Sequence, residues 1–223
     1  MEFDFQYMIT VFPNVIKYLW QSLSMAVSAM ILASILGLIL ALVRNSRIPV
    51  LTQLVAVYIS FFRAIPMLVQ LFLFYFGLPQ LFPVFDGISA VTAAIIGFSL
   101  KESAFLAEIF RAALNSVEKG QLEACLSVGM TKVQSYLRVI FPQALRNALP
   151  GAGNTFITLI KESALAFTLG VAEMFAQAKM MAAASFNFFE TYLAIALIYW
   201  LVVIVVTLLQ QQLEKRINRP YIQ

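Results

Sequence analysis

The sequence predicts an all-α integral membrane protein with about five transmembrane helices, organised as a single domain over residues 1–223. Three observations carry that prediction. Of the 223 residues, 61% are hydrophobic and only 12% charged, with a mean hydropathy of +0.87. A soluble domain is nearer half apolar and a quarter charged, so the excess apolar surface must face lipid or other helices. The stretch from Tyr18 to Val43 contains no charged residue and is long enough to cross a hydrocarbon core of about 30 Å. The cations, finally, fall unevenly between alternate loops, as multi-span topology requires.

Residues 1–17 contain Phe3, Phe5, Tyr7, Ile9, Val11 and Phe12 and read as an interfacial segment ending at Pro13. No basic region precedes a short apolar core, so no cleavable signal peptide is expected and the first span stays in the protein. That span covers about 18–43 and is closed by Arg44 and Arg47. A second covers about 53–78; Arg63 and Pro66 interrupt it, and the proline removes a backbone donor and predicts a kink. Pro79, Pro83, Asp86 and Gly87 form a turn-rich loop. Span three, about 88–110, carries Lys101, Glu102 and Glu108. A polar stretch at about 111–148 follows, then span four at about 149–171 with Lys161 and Glu162. A mixed loop with short helical character (173–190), span five (about 191–209) and a basic tail complete the chain.

Ten cations fall on one side of such a bundle: Arg44, Arg47, Arg111, Lys119, Lys132, Arg138, Arg146, Lys215, Arg216 and Arg219. Only Lys17 and Lys179 fall on the other. The positive-inside rule then puts the N-terminus outside, and residues 111–148 and the C-terminus in the cytoplasm. The net charge of +4 has its explanation in topology, and no basic run interleaved with aromatics suggests nucleic acid. One cysteine and no histidine exclude an intrachain disulfide, the usual Cys/His metal sites and histidine acid–base chemistry. Cys125 is expected to be a small packing residue. No Gly-x-x-x-x-Gly-Lys-Ser/Thr loop is present, so this chain cannot cradle nucleotide phosphates, and no cofactor or catalytic residue is expected in it.

Arg63, Lys101, Glu102, Lys161 and Glu162 lie within spans, where each unpaired charge costs about 2.5–3.5 kcal/mol. They must face the bundle interior or a cavity and pair. Lys101-Glu102-Ser103-Ala104 and Lys161-Glu162-Ser163-Ala164 are alike and stand at similar depths in antiparallel spans, so they could meet at one level. A cavity lined by both signs, with Ser103 and Ser163, suits a zwitterion: cations hold a carboxylate and anions an ammonium. The alternative is a set of structural salt bridges. Adjacent helical residues point about 100° apart, so one member of each Lys-Glu dipeptide contacts substrate while the other braces a neighbouring helix. For Arg63 the bracing role is favoured. Gln70 either lines the path or satisfies backbone groups freed by Pro66. Glu108 and Arg111, at i and i+3, are expected to pair.

Within the polar stretch stand Gly120 and then Glu123-Ala124-Cys125, three further residues, Gly129, nine residues, and Val139-Ile140-Phe141-Pro142. This spacing resembles the EAA loop of ABC-importer permeases, with Cys125 for the second alanine and Phe141 for the usual leucine. Glu123 is expected near a helix start, where the dipole favours an anion. Ala124 and Cys125 would permit close approach of another surface, and Gly129 a chain reversal. The wider resemblance, over about 18–213, is to the polar amino-acid branch. It is carried by Phe62-Arg63-Ala64-Ile65-Pro66-Met67-Leu68-Val69-Gln70, Ala107-Glu108-Ile109-Phe110-Arg111-Ala112 and Phe141-Pro142-Gln143-Ala144-Leu145-Arg146. Ala64-Ile65 replaces the branch's usual Gly-Thr.

The resemblance implies a type I importer permease in a bacterial cytoplasmic membrane. A second copy or a homologue would complete the path. Two cytoplasmic ATPases would bind ATP and Mg and dock on Gly120, Glu123, Ala124, Gly129 and Pro142. An extracytoplasmic binding protein would deliver a polar or zwitterionic amino acid, with cystine or another sulfur-containing amino acid as the narrower expectation. It also associates Glu162 with the intramembrane pocket. The rival is a secondary transporter that uses Glu102 and Glu162 as proton carriers, for which five spans are few and an EAA-like loop has no use.

Overall fold

The computed structural model describes residues 3–46 and 48–218. Arg47 and Arg219, two of the cations that argue the topology, lie outside the described residues. Among those described, every regular element is helical. Helix α1 spans Phe5–Ile16, α2 Leu19–Arg44, α3 Pro49–Ala64 and α4 Met67–Phe72. From α4 a π-helical turn at Leu73–Gly77 leads into α5, Leu78–Leu81. Next come α6, Ala90–Asn115, α7, Lys119–Ser127, and α8, Lys132–Ser135. A π-helical stretch at Tyr136–Ile140 feeds α9, Phe141–Glu162, which tightens into a 3₁₀ helix at Ser163–Leu169. The chain ends with α10, Met174–Ser185, and α11, Phe188–Asn218.

Helices α2, α6 and α11 are each long and apolar enough to cross a bilayer. Two bent pairs bring the number to five if each counts as one span: α3 with α4–α5, bent by 108°, and the helices of 132–169 with α10, bent by 56°. Several boundaries differ from the pattern in the sequence. Residues 5–16 form a helix that runs through Pro13 and buries Met8, Val11 and Val15 against α10 and α11. The first residues of the polar stretch finish α6 and its last begin α9. Residues 173–190 are largely helical, and α11 continues nine residues past 209.

The most extensive packing in the molecule is between α2 and α6. On α2 the fully buried residues Ala26, Ala29, Ala33 and Ala41, together with Gly37, recur every three or four positions and form one stripe of small side chains. In lipid there is little hydrophobic drive between helices, so association depends on close packing, and small residues permit it. A Cβ placed on Gly37 would lie 2.9 Å from Leu106 Cβ and 3.1 Å from the Ser103 carbonyl oxygen.

Two sharp corners are fixed by side chains. At the first, Ile65 is extended and precedes Pro66, a pairing that excludes continued α-helix. Pro66 cannot donate to the Phe62 carbonyl one turn back. Gln70 does so instead: its Nε2 donates to Phe62 O at 2.9 Å and to Ile65 O at 2.8 Å. The second corner joins the 3₁₀ helix to α10 through Gly170, at φ +88°. Glu173, fully buried, caps α10: its Oε1 accepts from Ala176 N at 2.6 Å and its Oε2 from Phe175 N at 2.9 Å. The Ser22 hydroxyl of α2 donates to the same carboxylate at 3.4 Å.

Because the small-residue seam holds the bundle, Gly37→Val is expected to destabilise the protein by about 1–3 kcal/mol through overpacking. Thermal unfolding in detergent checks this; an unshifted midpoint would show that α2 and α6 can separate at no cost.

Candidate functional site

Helix α6 presents Lys101, Phe105 and Glu108 on one stripe, and α9 presents Gly151, Asn154, Thr155 and Thr158 on another. These spacings of three and four residues keep side chains on one helical face. With Arg63 from the end of α3 and the buried Glu102, the two stripes line an open groove of about 650 Å³. Glu162 continues the α9 stripe one turn beyond Thr158. Asn154 is exposed on this face, and such a polar stripe is unsuited to hydrocarbon.

Lys101 and Glu162 form a direct ion pair across the two helices. The Lys101 ammonium also lies 3.3 Å from Glu102 Oε1. The Glu102 side chain is 3% exposed, against 12% for Lys101 and 21% for Glu162. Glu102 Oε1 and Glu162 Oε2 are buried and accept no hydrogen bond. The Arg63 guanidinium sits 5.2 Å from the centre of the Phe105 ring, and the Lys101 ammonium 5.7 Å from it, both within reach of the ring's negative face. Towards the far end of α6, Arg111 donates to Glu108 Oε2 through Nη2 at 2.6 Å and through Nε at 3.0 Å. Arg44 approaches Glu108 Oε1 at 3.9 Å.

The two Lys-Glu-Ser clusters therefore meet, but only in part. Lys101, Glu102 and Glu162 converge. Lys161 is exposed and makes no ion pair among the described residues. Ser103 and Ser163 are fully buried and bond back to their own helices: Ser103 Oγ to Leu100 O at 2.8 Å and Ser163 Oγ to Ile160 O at 2.8 Å. Ser103 also exchanges a 2.9 Å hydrogen bond with Tyr58. Gln70 is 1% exposed and serves the Pro66 corner. Arg63 is exposed and lines the groove. The residues missed from the sequence are Phe105, Asn154 and Thr158. Only their helical spacing from Lys101 and Glu162 could have found them.

At one end of the bundle, α7 forms a second candidate surface. Gly120, Glu123 and Ala124 face outward, while Cys125, 7% exposed, anchors the helix from the other side. Gly129 ends it with φ +83°. Met130 N donates to Cys125 O at 3.1 Å and Gly129 N to Leu126 O at 3.0 Å, the double bond of a Schellman reversal. Thr131 and Gln134 then cap α8 reciprocally. Pro142 is exposed in the first turn of α9. Val128 and Val133 are 78% and 67% exposed, an apolar presentation suited to a protein partner. One expectation needs correction: α7 starts at Lys119, which puts Glu123 beyond the first turn, where the helix dipole has largely faded.

Residues 33–219 match the family of binding-protein-dependent transport system inner membrane components. The chain is 61% identical to the probable amino-acid permease protein YxeN of Bacillus subtilis (strain 168), over 98% of this chain and 97% of that one. It is 51% identical to the probable amino-acid ABC transporter permease protein PatM of Vibrio harveyi, over the whole of both. The crystal structure of an amino acid ABC transporter with histidines superposes with a TM-score of 0.87 at 36% identity, covering 97% of this chain and 100% of that one. The chain thus belongs to the inner-membrane permease family of binding-protein-dependent transporters. It is a multi-pass membrane transport subunit and not an enzyme.

If Gln70 serves only the Pro66 corner, Gln70→Leu should cost about 1–3 kcal/mol, the penalty for stranding buried acceptors. Substrate preference should not change. A thermal midpoint that stays put while preference shifts would place Gln70 in the transport path instead.

Proposed function

We propose that this chain is the permease subunit of an ATP-driven importer of polar or zwitterionic amino acids, with the α3–α6–α9 groove as its substrate path and α7 as its coupling helix. The observation that carries the reading is the groove: paired charges of both signs inside the membrane-spanning helices, open where Asn154 is exposed on α9. A charged cavity at that depth is affordable only where water, substrate or protein fills it. A second copy or a homologous permease, set against the polar face, would close the path. The amino acid's carboxylate would be held by Arg63 and its ammonium by the Glu102 and Glu162 carboxylates. Cystine and other sulfur-containing amino acids fall within this class.

The coupling reading is supported by what α7 lacks. Nothing lies within 4 Å of a Cβ added to Gly120, so no packing in this chain calls for glycine there. Among the described residues the Glu123 side chain makes no hydrogen bond or ion pair; its backbone carbonyl accepts from the Ser127 hydroxyl. Such a helix, rigidly ended at Gly129 and outwardly unoccupied, suits docking by an ATPase that binds ATP and Mg. The cation distribution orients this end to the cytoplasm and the N-terminus outside, where a binding protein would deliver substrate.

The test is uptake of a panel of labelled amino acids into liposomes that hold the chain with its cognate ATPase and binding protein. Glu123→Ala should leave thermal stability unchanged and lower ATP-dependent uptake by about tenfold or more, the loss of one buried charged contact at an interface. Wild-type activity in Glu123→Ala would remove α7 from the coupling surface. Uptake that runs on an ion gradient without any ATPase would replace this reading with that of a secondary transporter.

A further inference from the structure

The groove carries a charge count that bears on which amino acids it can accept. Arg63 and Lys101 supply two positive charges and Glu102 and Glu162 two negative ones. Glu108 and Arg111 cancel one another; Glu162 lies just outside the lining and counts through its ion pair with Lys101, whereas Lys161 makes no ion pair among the described residues. The site is therefore neutral as built. A ligand of zero net charge leaves it neutral, whereas a cationic amino acid adds an uncompensated charge where water is scarce.

Lys101 is the residue that sets this balance. Among the described residues it is the one cation within ion-pair distance of either Glu102 or Glu162. Its ammonium stands between the two carboxylates, which is where the guanidinium or ammonium of a cationic side chain would have to go. One acceptor is left over, Glu162 Oε2, buried and without a hydrogen bond, since Glu102 Oε1 is the atom 3.3 Å from the Lys101 ammonium. It can accept from one further ammonium group. Arg63, held over Phe105 at the groove surface, remains for a carboxylate.

We infer that Lys101 is a specificity-determining residue: it acts as a built-in substitute for a cationic side chain, so the groove takes amino acids of zero net charge and rejects arginine and lysine. The inference rests on the reading of this groove as the substrate pocket. Lys101→Met keeps the apolar stem and removes the charge, which leaves two carboxylates facing one cation. Such a pocket selects for a positive ligand.

Direct binding to the assembled permease–ATPase complex in detergent, without the binding protein, tests this with labelled L-arginine, L-glutamine and L-cystine as probes. The wild type should bind a neutral probe and not arginine. In Lys101→Met the ratio of arginine to neutral-probe affinity should rise by about tenfold or more, as expected where a site gains an unpaired buried charge. Arginine should also raise the melting temperature of the variant but not of the wild type. Lys101→Gln should behave alike if the methionine variant assembles poorly, and Lys101→Arg, which keeps the charge, should still reject arginine. Comparable arginine binding by the wild type, or an unchanged ratio in both neutral variants, would overturn the inference. Glu162→Gln separates it from the reading beneath it. If that variant binds every probe as the wild type does, the groove is not the pocket. If it loses binding while Lys101→Met shows no shift, the pocket stands and only the role of Lys101 falls.

Discussion

Helix α2 approaches α6 so closely that one added methyl group at Gly37 would collide with the Ser103 carbonyl and Leu106. This contact fixes α6, and α6 fixes the site. Ser103, Leu106 and Ala107 form the face locked against α2; Lys101, Phe105 and Glu108 form the face turned to the groove. Because side chains 100° apart on one helix cannot move independently, clamping the first face aims the second. A membrane helix has little hydrophobic drive to hold it in place. The stripe of alanines and one glycine supplies by packing what the solvent would supply in a water-soluble bundle.

Polar groups obey the same economy. The 108° break between α3 and α4 exposes two carbonyls, and one glutamine side chain answers both. At the α10 corner a wholly buried carboxylate takes two backbone donors and a serine hydroxyl. Both devices permit a sharp turn inside a bundle where stray backbone groups have no water to bond. The Lys101–Glu162 pair belongs to a different class. It leaves Glu162 Oε2 buried without a donor, an acceptor still open to a partner.

The α7 surface inverts that pattern. Its internal side is over-determined: Cys125 is buried, the reversal at Gly129 closes with two backbone bonds, and α8 begins with a reciprocal cap. Its outer side, with Gly120, Glu123, Ala124 and two valines, is exposed among the described residues.

The sequence by itself determined the membrane class and the presence of charges within apolar helices, because composition and uninterrupted hydrophobic runs are local properties. The reversal at Gly129 was legible for the same reason: a glycine at that spacing predicts a left-handed residue, and the structure has one. So was the Glu108–Arg111 pair, which helical periodicity alone dictates. Tertiary structure decided the rest. The likeness of the two Lys-Glu-Ser clusters suggested symmetric roles, yet Lys101 crosses to the other helix while Lys161 faces away, and both serines turn back on their own backbones. Helix rotation about its axis sets those outcomes, and rotation is fixed by packing partners far away in the chain. The extent of α1, the bend angle at Pro66 and the burial of Glu173 have the same origin, since each depends on which surface happens to lie opposite.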